Sequence, residues 1–260
     1  MTTPTPAEVW QTGIFSAPAL HHLGPILPGP WLTADDWPDL PALNAEAARQ
    51  ALHNAASQPI RFVAQTERCG QRDYELNIYA SGEVPTRVRN WHDLFNALSW
   101  LSLPATKAAL NDVQAAALRN TPHGPRGPQA DAATLFDESG LVIAAPDPAL
   151  GEALRARRWH EAFITHREAW AAAEVVIVGH AILEKLLKPW PGITAKCVFM
   201  PQPPAGGLDA ALAAHWLTGQ VTRPADLFPM PVLGVPGWWP ANADPAFYDD
   251  REIFRPARPT

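Results

Sequence analysis

Apolar residues fall at helical spacing most clearly in VPTRVRNWHDLFNALSWLSLPATKAALN, residues 84–111. Leu94, Phe95, Leu98 and Leu101 recur at the intervals that line one face of a helix, so they are read as a core stripe. Asn90 precedes the stripe as an N-cap and Asp93 stands at the third helical position of a capping box, which predicts a helix over about 91–101. Pro104 sits where a second helix would start, running to about 118. Upstream, NAEAARQALHNAAS (44–57) reads as a short alanine-rich helix with Asn44 as cap and Glu46 in its first turn. Residues 60–65 and 74–80 (YELNIYA) read as strands joined through a Cys-Gly-Gln turn and pairing as a hairpin.

Further along, TLFDESGLVIAA reads as two short strands around a DESG turn. Helices are predicted over 148–157 and 159–172. The apolar run VVIV within 174–178 predicts a buried strand, which passes through Gly179 into a helix opening at His180. A strand over 196–200 and a helix over 208–217 follow. Residues 1–43 and 221–260 show neither period. They are read as irregular arms, the first anchored by Trp10, Phe15, Trp31 and Trp37. The expected fold is therefore α+β: a single domain over 1–260 with a short mixed sheet packed by several helices and proline-rich arms at both termini.

Composition sharpens this picture in two places. The chain carries 29 prolines and 11 tryptophans, so regular elements are short and long ordered loops are pinned by large apolar side chains. A formal charge of −6 and the absence of Lys/Arg runs argue against nucleic acid as a partner, unless Arg87, Arg89, Lys107 and Arg119 share one groove. Cys69 and Cys197 are far apart without a CxxC, which fits reduced thiols. Cys69 is placed in a turn and Cys197 on a buried strand. The N-terminus has no secretory pattern and no apolar run is long enough for a bilayer, so a cytoplasmic location without membrane contact is expected.

Candidate chemistry gathers at four places. Arg87, His92 and Asn96 surround the start of the 91–101 helix, where free backbone N–H groups favour an anion. The competing reading has His92 bonded to a backbone carbonyl, Arg87 paired with an acid, and Asp93 as a cap. His180 and Glu184 are four apart on a helix, which sets imidazole and carboxylate side by side as two metal ligands or an acid/base pair. Against that, Glu184 has Lys188 as an ion-pair partner one turn on. Asp137, Ser139 and Gly140 suit a turn, leaving Glu138, or Asp131 on the entering strand, as an acid. The tail FYDDREIFRPARP alternates charges with apolar anchors and reads as docked through ion pairs, with Asp249 or Asp250 available to close a pocket.

No GxSxG elbow, P-loop, GxGxxG, HExxH or EF-hand pattern is present. The blocks VPTRVRNWHDLFNALSWLSLPATKAALN, TLFDESG, VVIVGHAILEKLLKP, PVLGVPGWWPAN and FYDDREIFRPAR, in this order from about Tyr74 to Arg258, resemble a bacterial family catalogued as domain of unknown function 3025. The loop 120–129, with His123 and Arg126, is looser than these blocks. The resemblance brings no catalytic residues with it.

The functional expectation follows from the residue types. A small molecule is hydrolysed in a pocket where the helices starting near His92 and His180 meet. His92, Asp131, Glu138, His180 and Glu184 supply catalysis. Arg87 and Asn96 hold an anionic or carbonyl-bearing substrate, and His180 with Glu184 binds a divalent metal such as zinc or manganese. The alternative is a non-catalytic binding module whose polar residues form a buried network.

Overall fold

β3, Gly140–Ala144, lies at the centre of the molecule with every residue buried. It belongs to a four-stranded sheet of order β4-β3-β5-β6, where β4 is Glu174–Ile177, β5 is Thr194–Met200 and β6 is Phe228–Pro231. β3 and β5 run parallel, and β4 and β6 are antiparallel to their neighbours. Side chains alternate across a strand. Leu141, Ile143, Cys197 and Phe199 therefore enter one core, while Val142, Ala144 and Val198 enter a second on the opposite face. A sheet covered on both faces explains the unbroken apolar runs. The computed structural model describes residues 8–29, 31, 35–66, 70–121, 124–201 and 206–257. Cys69, His123 and Arg258 lie outside the described residues.

The helices are α1 Leu40–Arg49, α2 Gln71–Ser81, α3 Trp91–Ser102, α4 Pro104–Asn120, α5 Pro128–Ser139, α6 Pro148–Arg155, α7 His180–Lys185 and α8 Leu208–Leu217. The core that holds Leu141 and Ile143 packs against α3, α6 and both chain arms. The other is filled by Ala109 and Leu110 of α4, Ala132, Ala133 and Phe136 of α5, and Leu212 and Trp216 of α8. The expected α+β class, with a short mixed sheet packed by helices, is what the chain forms. Among the described residues no helix is long and apolar enough to cross a membrane.

Several sequence expectations are corrected. YELNIYA is not a strand but the body of α2, because Glu75 and Ile78 share its buried side and Gly82, at φ 73°, ends it with a left-handed turn. β1, Arg61–Ala64, consequently pairs with β2, Glu83–Thr86, in parallel across that helix instead of forming a hairpin. TLFDES is the end of α5 and not a strand and turn, with Gly140 starting β3 directly. α1 begins at Leu40 with Asp39 as its cap, while Asn44 brackets the Phe62 peptide by accepting its N–H (2.7 Å) and donating to its carbonyl (2.8 Å). The stretch 159–172 is a π-turn and a 3-10 segment, not one helix.

Residues 221–260 are not wholly irregular, because Phe228–Pro231 pairs with β5 as the edge strand β6; aromatic rings hold the rest of both arms. Trp10 stacks on Trp91 at 4.8 Å and meets Trp37 edge-on at 5.3 Å, while Phe15 is buried. Among the described residues the tail is held by rings and makes no ion pair. Tyr248 stacks on Phe163 at 4.8 Å, Phe254 meets Tyr248 at 5.1 Å, and the Trp159 indole donates to Arg255 O. Asp249 and Asp250 are exposed.

Candidate metal centre

The sheet register builds the site. α5 runs into β3 with no intervening loop, and β4 runs into α7 through Val178 and Gly179 alone. Leu141 pairs with Ile177 across the antiparallel ladder, and the N–H groups of Val178 and Gly179 both donate to Gly140 O at 2.9 Å. The last turn of α5 is thereby set beside the first turn of α7, so Asp137 and Glu138 face His180. α3 crosses α7 and brings its own first turn to the same point. Asn90 caps it by accepting the Asp93 N–H at 3.1 Å.

The rings of His92 and His180 lie 4.5 Å apart, nearly perpendicular. His180 Nε2 is 3.6 Å from Glu138 Oε2. Ligand atoms of His92, Glu138 and His180 all lie within 4.8 Å of one another. Behind each imidazole stands a further carboxylate. His92 Nδ1 donates to Glu184 Oε2 at 2.9 Å, since an ionised carboxylate only accepts. In the neutral imidazole that bond sets the proton on Nδ1 and the lone pair on Nε2. His180 Nδ1 is 3.8 Å from Asp137 Oδ2 and makes no hydrogen bond.

Burial shapes the charges here. It pushes His180 down to about 3 despite the nearby Asp137, so the ring is neutral, the form that binds a metal. Burial first, and Asp137 second, raises Glu138 above the usual carboxylate range. For Asp137 burial pulls upward, but the charge and hydrogen bond of Lys107 overcome it and hold the carboxyl below its ordinary value. The face is graded: His180 is buried, whereas the side chains of His92, Glu138 and Glu184 are 29%, 43% and 38% exposed.

A second polar layer lies beneath. Lys107, only 3% exposed, donates to Asp137 Oδ1 and, at 2.8 Å, to Asn96 Oδ1. Asn96 Nδ2 donates to the Tyr74 hydroxyl at 2.9 Å, and Asn111 Nδ2 donates to Glu75 Oε2 at 2.8 Å. Glu75 is pushed up to about 7 by burial, with Asp137 adding to the shift, against the Asn111 hydrogen bond and the charges of Lys107 and Arg126. Its carboxyl is then neutral in the fold below about 7 but ionises near 4.5 when unfolded. The Glu75 contribution to stability is greatest below 4.5 and is lost as pH climbs from there through 7. Glu75→Gln, compared with the parent by urea denaturation at acidic and alkaline pH, is expected to gain about 3 kcal/mol relative to it across that interval. A difference that stays flat with pH would refute the buried neutral acid.

Of the residues singled out in the sequence, His92, Glu138, His180 and Glu184 come together. Glu184 is not among the three clustered ligands. It serves His92, and His180 has Glu138 in the place expected for Glu184. Asp131 stays apart: it is on α5, not a strand, two turns and roughly 10 Å before Glu138, and its Oδ1 lies 3.5 Å from Arg126. Arg87 grips Asp93 through Nε (2.9 Å) and Nη2 (2.7 Å), the acid pairing weighed as the alternative. Asp93 also accepts the Arg87 N–H instead of closing a capping box. Asn96 has both ends engaged. Lys107 is buried, so it does not share a surface groove with Arg87, Arg89 and Arg119.

Sequence reading passed over Asp137 and Lys107 as site residues and did not single out Glu75 or Asn111. A signal existed for two of them, since Lys107, Asn111 and Gln114 repeat along one face of α4 that is otherwise apolar.

Two imidazoles and a carboxylate around one point, each imidazole backed by an acid, make this an α+β protein with a candidate metal centre. The family described as "Protein of unknown function (DUF3025)" matches residues 60–258, and the chain belongs to it. No curated protein and no solved structure matches the chain.

Proposed function

We propose that this protein is a metal-dependent hydrolase whose ion is held by His92 Nε2, His180 Nε2 and Glu138. The observation that carries the reading is the three-ligand cluster with an acid behind each ring. Ligand atoms around a tetrahedral zinc stand roughly 3.4 Å apart, given bonds of about 2.1 Å. The 3.6 Å between His180 Nε2 and Glu138 Oε2 is already close to that. Three protein ligands leave positions for water and a substrate carbonyl, which suits hydrolysis. Glu184 orients the His92 ring and Asp137 stands behind His180; Arg87 and Asn96 are scaffold, and Asp131 lies outside the site.

Metal analysis of the purified protein tests this. One equivalent of a divalent transition metal is expected, lost in His180→Ala and Glu138→Ala, with affinity lowered about 10–100-fold in Glu184→Gln. Iron in place of zinc or manganese would redirect the chemistry, because two histidines and a carboxylate also make the open iron site of oxygenases. If no metal is retained and none binds on titration, the non-catalytic reading takes over. The buried layer of Lys107, Asn96, Tyr74, Asn111 and Glu75 favours that reading, since its side chains hydrogen-bond one another in the interior.

A further inference from the structure

A groove of about 780 Å³ is lined by Glu184, whose carboxylate holds His92, and by residues at and beyond the end of α7. That volume suits a small organic ligand. Its lining is mainly apolar, with Leu187 as floor and two unusually exposed side chains as walls, Val9 (80%) and Trp190 (48%). Solvent-facing apolar side chains gathered in one concavity call for an apolar occupant. Four charges also line the groove, and they are not equivalent. Glu8 is consumed by the start of α3, where it accepts the Trp91 N–H, and Glu184 is consumed by His92. Lys185 and Lys188 are exposed and make no ion pair among the described residues. The unspent charge of the groove is positive.

We propose that this groove takes the apolar body of a soluble organic anion, an acyl or aryl compound bearing a carboxylate, with Lys185 and Lys188 meeting the anion and Trp190 the body. The assignment rests on the hydrolase reading, for which it names the substrate class. Glu184 joins the groove to the centre, since it lines the one and holds His92 of the other.

The test uses the full-length protein as purified and the fluorescence of anilinonaphthalene sulfonate, an aryl anion, followed by displacement. Octanoate should displace the probe about tenfold better than octylamine or octanol. Trp190→Ala should weaken the probe about tenfold. Lys185→Glu with Lys188→Glu, both on the surface and expected to leave the melting temperature unchanged, should reverse the preference between octanoate and octylamine. Chelation, or Glu138→Ala, should remove the metal and leave the probe bound, which separates the two readings. A protein without metal that still prefers octanoate loses the hydrolase and keeps the groove. A metal-loaded protein whose probe ignores both the tryptophan and the lysine changes loses the groove and keeps the hydrolase. Binding to anionic vesicles that depends on the lysines, without displacement by octanoate, would overturn the soluble-ligand assignment in favour of a membrane surface.

Discussion

Replacing Asp137 with alanine is expected to destabilise the protein by about 3–5 kcal/mol, the cost of leaving a buried cation without its partner. Lys107 is 3% exposed and has two acceptors, the Asp137 carboxylate and the neutral amide oxygen of Asn96. Removing the carboxylate strands the charge, since the remaining acceptor carries none. The double replacement Lys107→Met with Asp137→Leu should recover most of the loss, because well-packed apolar residues often equal or exceed a buried ion pair. Urea denaturation of the parent, both singles and the double decides the matter. Equal destabilisation in Asp137→Ala and the double would show that packing, not stranded charge, sets the cost. The same substitution removes the acid behind His180 Nδ1, so any metal bound by Asp137→Ala should also be held more weakly.

Gly179→Ala is expected to cost about 3 kcal/mol, the upper part of the usual range for overpacking. The backbone at Gly179 is ordinary (φ −70°, ψ 108°); what excludes a side chain is space. A Cβ there would stand 2.5 Å from Gly140 N, 2.5 Å from Ser139 Cα and 2.6 Å from Glu138 O. All three are backbone atoms, so no rotamer change relieves the contact. The strain opens the junction of α5 with α7, and with it the distance from Glu138 to His180. Gly192→Ala serves as the control: its new Cβ would meet only the Trp190 side chain at 3.3 Å, and a loss within about 0.5 kcal/mol is expected. Thermal and urea melts read the stability, and a metal titration reads the junction. If Gly179→Ala melts with the parent and binds metal equally, the close approach is not what aligns the site.

How far the sequence reveals this arrangement depends on where each signal lives. The stripe Leu94, Phe95, Leu98 and Leu101, the Asn90 cap and the Pro104 start are local properties, and α3 and α4 follow from them. The VVIV strand and the helix after it are local too. YELNIYA misleads because alternation of Tyr74, Leu76 and Ile78 mimics a strand, while the polar Glu75 is the residue that faces inward. DESG misleads because a good turn tetrapeptide also fits the frayed end of a helix. The sequence puts His92, His180 and Glu138 in one pocket on residue type and helix position, without the contacts that bring them together. Their convergence depends on the pairing of Leu141 with Ile177 and on α3 crossing α7, both contacts between distant parts of the chain. Glu184 was placed beside His180 by helical spacing, but the pairing that exists is with a ring from another helix.

The absence of any loop between α5 and β3 has a consequence for how the centre responds to its occupants. Asp137 and Glu138 are one turn of helix from a fully buried strand, and His180 follows its neighbour strand by two residues, both hydrogen-bonded to Gly140. This half of the centre has no slack and moves only if the sheet moves. His92 comes from α3, whose first turn packs on an arm held by stacked tryptophans. The centre is thus a fixed anvil facing an adjustable jaw, and differences in what relatives accept should be written in the jaw.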